Sequence, residues 1–479
     1  MTKQNIGKYR WTICGMLFFA TTINYLDRQV LSLTWSDFIA PEFHWTNNDY
    51  GNITALFSIF YAVSLLFAGK FIDWMDTKKG FLWAIGIWSI GACLHAFCGI
   101  ATAGILTGNW FVGFEGAKEI ISTVNDTGMI IFVSVSLFIF ARFILALGEA
   151  GNFPAAIKTT AEYFPKKDRA FSTSIFNAGA TVGALAAPIT IPFIAKSFGW
   201  EMAFIIIGAL GFIWMGFWIF IYDKPERHPK VSPAELAYIQ QDILADSKIE
   251  GYVPETAIKV SLVDCFKYKQ TWAFAFGKFM TDGVWWFFLF WTPAYLSSVY
   301  KMDSTEAAFP LFVLYMITLL SIIGGWLPTY FVEKKGMNPY EGRMRAMLIF
   351  AFFPLLALVA QPLGHISYWL PVAIIGIAGA AHQAWSANIF TTVGDMFPKK
   401  AIATITGIGG LAGGVGSTII NKGSGMLFDY STESEMVFMG FKGIEAGYFI
   451  IFSTCAFCYL IGWMVMKSLV PKYSPITDL

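Results

Sequence analysis

The sequence predicts an all-α polytopic membrane protein whose twelve transmembrane helices form two pseudo-symmetric halves of six. Three features carry this reading: apolar runs of bilayer length, alternating basic and non-basic connections, and paired motifs that recur once in each half. Hydrophobic residues make up 56% of the 479, aromatics 18% and charged residues only 14%, which is too apolar for an ordinary soluble domain. Twelve runs stand out, at 11–35, 50–72, 81–100, 129–153, 170–195, 202–222, 272–298, 308–332, 346–363, 368–393, 402–421 and 446–467. Each is near the ~20 residues that a helix needs to cross the hydrocarbon core.

Basic residues gather on alternate connections. One side carries Lys3, Lys8 and Arg10; Lys78 and Lys79; Lys158, Lys166, Lys167 and Arg169; Lys334, Lys335, Arg343 and Arg345; Lys399 and Lys400; and Lys467 and Lys472. The other has only Lys118, Lys196, Lys301, Lys422 and Lys442. The positive-inside rule makes the basic side cytoplasmic, with both termini and the central loop inside. The first apolar run is too long for a signal-peptide core and lacks an A-x-A-like end, so no cleavable signal is expected. A net charge of +1 gives no sign of a nucleic-acid partner. Cys455 and Cys458 form a C-x-x-C within an apolar span without partner ligands, which reads as packing; no metal or cofactor is expected.

Two motif pairs set the halves. Gly69 to Gly80 follows the second run and Gly325 to Gly336 the eighth, each with Lys-Lys before its last glycine. Phe164-Pro-Lys-Lys167 follows the fourth run and Phe397-Pro-Lys-Lys400 the tenth. The first pair lies 256 residues apart and the second 233, so the N-terminal half holds 23 more between its motifs. The segment 101–128 accounts for them and reads as an external lid or a tolerated insertion. The expected units are therefore 1–222, a linker at 223–271, and 272–479. Within the linker, Ser232-Pro-Ala-Glu235 forms a capping box that should start an amphipathic helix from 233 to about 246 on the inner membrane face.

The stretch Arg142 to Pro154 places Arg142 and Glu149 in an apolar run, two helical turns apart and so on one face. A charge at membrane depth costs at least ~2.5–3.5 kcal/mol and usually faces an internal cavity. Arg28 should lie about 25 Å from the inner end of the first span. Either Asp27 neutralises it, or its guanidinium faces a cavity and suits a carboxylate. Tyr61 offers a phenol to a hydroxylated ligand, and Asn177 serves either packing or a ligand. Lys278 and Asp282 share a face of the seventh span, as a structural pair or a functional one, followed by Trp285 and Trp286. The tenth span holds His382, Gln383, Ser386 and Asn388, a cluster rich in hydrogen-bonding groups. Together these residues describe a polar cavity between the halves, with cations for an anion and Glu149 and Asp27 for protons. A carboxylate that yields its arginine to a bound anion then holds a proton, which couples the two through alternating access.

The Gly69–Gly80 segment resembles the cytoplasmic motif of the major facilitator superfamily, with Trp74 in place of its usual arginine. NYLDR at 24–28, R-x6-E-A-x3-P from Arg142 to Pro154 and the run EYFPKKDRAFSTSIFNAGATVGALAAP resemble its anion:cation symporter family. KFMTDGVWWFFLFWTPAYL and AAHQAWSANIFTTVGDMFPKK are most similar to hexuronate transporters. The resemblance covers nearly all of the chain except 101–128. It implies proton symport of glucuronate and galacturonate across a bacterial inner membrane by a monomer. It further implies a substrate-carboxylate arginine at Arg28, cavity tyrosines at Tyr25 and Tyr61, proton-coupling acids at Asp27 and Glu149, Arg142 as the partner of that glutamate, and a gating role for Gly69, Asp73, Lys78 and Lys79. Galactonate-type members carry a cavity glutamine where this chain has Ala180, which argues against galactonate; the alternative is a carrier of another organic anion such as an aldonate or aldarate. An enzyme is not expected: no soluble segment could hold a catalytic domain, and no nucleophile–base constellation occurs.

Overall fold

The computed structural model describes residues 7–241, 261–476 and 479. Among these residues the long helices group into twelve segments. They are α1 (Tyr9–Thr34), α2 (Asn47–Met75), α3 (Thr77–Ala96), α4 (Thr127–Glu149, resuming as Asn152–Tyr163), α5 (Lys166–Phe198), α6 (Trp200–Ile221), α7 (Lys269–Tyr300), α8 (Ala308–Lys335), α9 (Pro339–Gly364), α10 (Trp369–Met396), α11 (Lys399–Glu433) and α12 (Ile444–Leu469). Seven segments are long and apolar enough to cross a membrane, or eight when α3 and the helix Cys98–Thr107, bent from it by 55°, count as one span. The other four are α1, α7, α10 and α11. These carry the polar groups of the interior, which lower their hydropathy.

Within the first half α1 packs on α5, and α3 on α4 and α6; within the second, α7 packs on α11 and α12, and α8 on α10. The halves meet where α2 runs against α11, α5 against α8 and α1 against α7. Small residues permit the first contact: a Cβ added at Gly414 would strike Ala62 of α2. The expected loop at Gly69–Gly80 is a single sharp turn. Asp76, at φ +65°, ends α2, and its carboxylate caps Thr77 N at 2.9 Å to begin α3.

The linker differs from its expected form. Ser232 Oγ accepts from Glu235 N at 3.2 Å and starts the helix Pro233–Ile239. Glu235 does not close a capping box; its carboxylate binds Tyr9 N, Arg10 N and the Arg10 guanidinium at 3.1–3.2 Å. Tyr238 donates to Asp168 Oδ2 at 2.8 Å. The helix thus locks onto the base of the first half, and residues 242–246 of the expected helix lie outside the described residues.

The insertion also belongs to the first half. The helix Phe114–Thr123 lies on Cys98–Thr107 and on the short helix Ala40–Phe43, burying Ala117 and Ile121. Lys118 bonds Glu115 at 3.1 Å and reaches Glu201 of α6 at 3.3 Å, while Trp200 Nε1 donates to Glu42 at 2.8 Å. Burial, offset by the Trp200 bond and reinforced by Glu201, pushes the Glu42 carboxyl up to about 7. The folded state therefore holds a proton there that the unfolded chain releases near its ordinary value of ~4.3. Stability linked to Glu42 is full below that value and is lost as pH rises through about 7. Glu42→Gln, which keeps an acceptor for Trp200, should raise the thermal midpoint of the purified protein at pH 8 by a few degrees and leave it unchanged near pH 4. An equal effect at both pH values would contradict this account.

Candidate functional site

Glu149 is the last residue of the first part of α4, where the helix breaks before resuming at Asn152. The preceding turn is pinned to α3, since a Cβ at Gly148 would fall on the Trp88 backbone nitrogen. This close approach fixes the Glu149 carboxylate, which receives Arg28 Nε at 3.0 Å and Nη2 at 2.8 Å. The two side chains are 3% and 0% exposed. Aromatic rings surround the guanidinium: Tyr61 at 4.7 Å, Trp286 at 4.9 Å and Tyr25 at 5.1 Å from their centroids. Such faces favour a cation in a dry setting.

The arginine partner differs from the one implied by the sequence. Residues seven apart share a helix face but stand ~10.5 Å apart along the axis, and the Glu149 carboxylate takes its hydrogen bonds from Arg28. Arg142 instead lies over the Phe57 ring at 5.1 Å, and its Nη1 makes no hydrogen bond. Asp27 does not neutralise Arg28. It is buried beside the Trp88 indole, short of a well-formed hydrogen bond.

The second half supplies a matching pair, Lys278 Nζ to Asp282 Oδ2 at 2.7 Å, with the ammonium 4.2 Å from the Phe390 centroid. His382 stacks on Trp285, with centroids 5.4 Å apart, and its Nδ1 meets the Tyr459 hydroxyl at 2.8 Å. Asn388 is not at the cavity: its amide donates to Gly324 O at 2.9 Å and Ala384 O at 2.8 Å, tying α10 to α8. Sequence pattern alone could not separate it from Gln383 and Ser386.

Of these groups, Tyr25, Arg28, Tyr61, Lys278, Asp282, Trp285, Trp286 and His382 line one cavity between the halves, in joined lobes of about 510 and 640 Å³, while Glu149 lies buried behind Arg28. Tyr25, Tyr61, Asn177, Gln383 and Ser386 present side-chain oxygens or amides to it that form no hydrogen bond among the described residues, apart from Tyr25 and Tyr61 facing Arg28 with their rings. Asp282, Trp286, Phe57 and Phe153 join the site without having been singled out as ligand contacts. Trp286 beside Trp285 was the available signal. No group of three or more His, Cys, Asp or Glu able to hold a metal occurs among the described residues.

The cavity is sealed away from the chain termini. There Asp429 of α11 caps α2, accepting from Asn47 N at 2.9 Å and Asn48 N at 2.7 Å. Lys196 pairs with Asp303 at 3.1 Å, Ser304 N donates to Asp37, and Lys422 donates to Asn48 and Asn52. All these contacts cross between halves. Among the described residues, the ion pairs on the face of the termini do not cross between the halves: Lys158–Asp73 at 3.0 Å, Lys224 of the linker to Asp76 at 3.2 Å and Arg343–Asp395 at 2.6 Å. Lys78 and Lys79 form no ion pair among the described residues, and Gly69 faces open space.

Two six-helix halves around a polar chamber sealed at one face define a multi-pass membrane transporter. The chain belongs to the Major Facilitator Superfamily, whose family model matches residues 17–420. It is 28% identical over 431 residues to the hexuronate transporter of Escherichia coli (strain K12), covering 89% of each chain. It is 25% identical over 330 residues to the galacturonate transporter of Dickeya chrysanthemi, covering 69% of this chain and 84% of that one. The probable galactarate/D-glucarate transporter of Escherichia coli (strain K12) is 23% identical over 447 residues, 91% of this chain and 93% of that one. Among solved structures, a bacterial homologue of the human lysosomal transporter Spinster matches with a TM-score of 0.68 at 17% identity, over 99% and 100% of the two chains. The D-xylose–proton symporter matches at 0.64 and 16%, over 98% and 99%. These likenesses fix the fold, and the chain is a transporter rather than an enzyme.

The contrast within α10 is open to test. Asn388→Ala leaves Gly324 O without its donor, and a buried hydrogen bond lost this way costs ~1–3 kcal/mol. Its thermal midpoint should fall by a few degrees, whereas Gln383→Ala should leave the midpoint within about a degree of the parent. Equal midpoints would contradict the assignment of Asn388 to packing.

Proposed function

We propose that this protein imports hexuronates, glucuronate and galacturonate, together with protons by alternating access across a bacterial inner membrane. The observation that carries the proposal is Arg28 at the cavity wall, held from behind by the buried Glu149 and set among hydroxyl and amide groups free to bind a polyol. A sugar-acid carboxylate takes the Arg28 fork bidentately. Glu149, left in a dry site without its cation, then holds a proton, because an unpaired buried charge is far costlier than a neutral acid. Asp27 and Arg142, buried next to this pair, serve the same proton step. Lys278, Trp285, His382, Gln383 and Ser386 hold the far end of the sugar. Ala180 at the cavity wall leaves room without a side-chain amide, consistent with a preference other than galactonate.

The positive-inside rule puts the termini in the cytoplasm, so the cavity sealed on the opposite face is the inward-facing state of a carrier that works as a monomer. Asp73, Lys78 and Lys79, which pair with no residue of the other half among the described residues, close the inner face in the alternate state. The bilayer is the solvent and no cofactor is needed. Lys278 as a second cavity cation favours one alternative, a dicarboxylic aldarate.

The test is uptake of labelled glucuronate into proteoliposomes, with and without an imposed inward proton gradient. Accumulation should require the gradient and be blocked by galacturonate, not by galactonate or glucose. Stronger block by galactarate than by galacturonate would move the assignment to aldarates. Glu149→Gln should lose gradient-driven accumulation at least tenfold while still exchanging substrate. Unchanged accumulation in that variant would remove Glu149 from the coupling.

A further inference from the structure

Each half brings one ion pair to the cavity, the first through Arg28 with Glu149 buried behind it, and the proposed mechanism uses only that first pair. The second, Lys278–Asp282, lies on α7 at 2.7 Å. Its aspartate occupies a notch in α11, where a Cβ at Gly413 would collide with Oδ2. Around it, Ala62 and Leu65 of α2 line the wall with apolar groups, and the ammonium rests on the Phe390 ring. The titratable groups facing the pair from other helices are His382 on α10 and Tyr459 on α12, joined to each other at 2.8 Å. These two bond each other rather than the pair. Lys278 is the cation bound to Asp282, just as Arg28 is the cation bound to Glu149.

A pair kept only for packing has no need to face the ligand chamber, yet both members line it. Lys278 has three N–H donors, and its bond to Asp282 leaves others for a ligand oxygen. We propose that Lys278–Asp282 is a second coupling pair, in which the ammonium shifts from Asp282 to an oxygen of the bound sugar acid and Asp282 takes up a proton. No bond to carbon changes. The proton comes from water on the face open at loading, and release of the ligand reverses both transfers. The C-terminal half then carries one proton of its own per cycle. This inference rests on the proposed proton-coupled sugar-acid transport.

The experiment uses the full chain in proteoliposomes, with membrane potential clamped to zero. A glucuronate gradient is opposed by a proton gradient until net flux vanishes, which gives the proton-to-glucuronate ratio independently of turnover rate. Asp282→Asn should lower the ratio by one proton, and Asp282→Glu should keep the parent value. Lys278→Met should raise the glucuronate concentration for half-maximal uptake at least tenfold. Because Asp282→Asn leaves a lysine unpaired, the neutral double variant Lys278→Met/Asp282→Asn carries the test if the single variant does not fold. A variant too slow to reach a balance point is read by the protons taken up when glucuronate is mixed with the purified protein. A parent ratio in Asp282→Asn or in the double variant overturns the inference and leaves the proposed function standing. No gradient-driven glucuronate uptake by the parent overturns the proposed function itself.

Discussion

Arg28 is a permanent charge in the middle of a membrane protein, and much of the structure around it answers that fact. Removing one partner from a buried ion pair typically costs 3–5 kcal/mol. Glu149 and a cage of aromatic rings supply the compensation. Holding Glu149 in reach requires α4 to break directly after it and Gly148 to sit against the α3 backbone. One wall of the cage, Trp286, comes from the other half. The electrostatic need of a single side chain therefore ties together α1, α2, α4 and α7. It also sets the chemistry: whatever takes Arg28 from Glu149 leaves a carboxylate that needs something in return, and a proton is the simplest candidate.

The contacts that seal one face are of a different kind. Lys196–Asp303 is half-exposed, and pairs of that sort contribute ~0–1 kcal/mol each. The Asp429 cap on α2 is worth ~1 kcal/mol by the usual scale of such caps. Individually weak contacts suit a gate that must open, because two conformations must differ by only a few kcal/mol for a ligand to shift them. The pairs toward the termini, confined to single halves, brace each half internally. The insertion at 101–128 belongs to the same logic, since it clasps α6 and the Ala40–Phe43 helix of its own half and makes the first half a single body.

Much of this was legible in the sequence. Twelve apolar runs gave twelve helical segments, because the hydrocarbon dictates length and the backbone cannot be left unpaired in it. The residues that face the cavity were identified mostly by their polarity at depth. What periodicity could not supply was pairing. Arg142 and Glu149 share a face of one helix, yet a second helix, α1, brings Arg28 to the glutamate. Asn388 looked like a ligand group by composition, but its partners are backbone carbonyls, one on its own helix and one on α8. The Ser232 cap was read correctly, whereas Glu235 was drawn away by Arg10, some 225 residues earlier in the chain. In each case the missing information was which helix lies next to which.

The central claim is that substrate and Glu149 compete for Arg28, so that binding draws in a proton. It is tested most directly by calorimetric titration of the purified protein with glucuronate, in two buffers of different ionisation enthalpy at the same pH. The difference in apparent enthalpy counts the protons taken up on binding. The account expects net uptake in the parent protein, reduced by one proton in Glu149→Gln. Tight glucuronate binding with no proton uptake in the parent would contradict it.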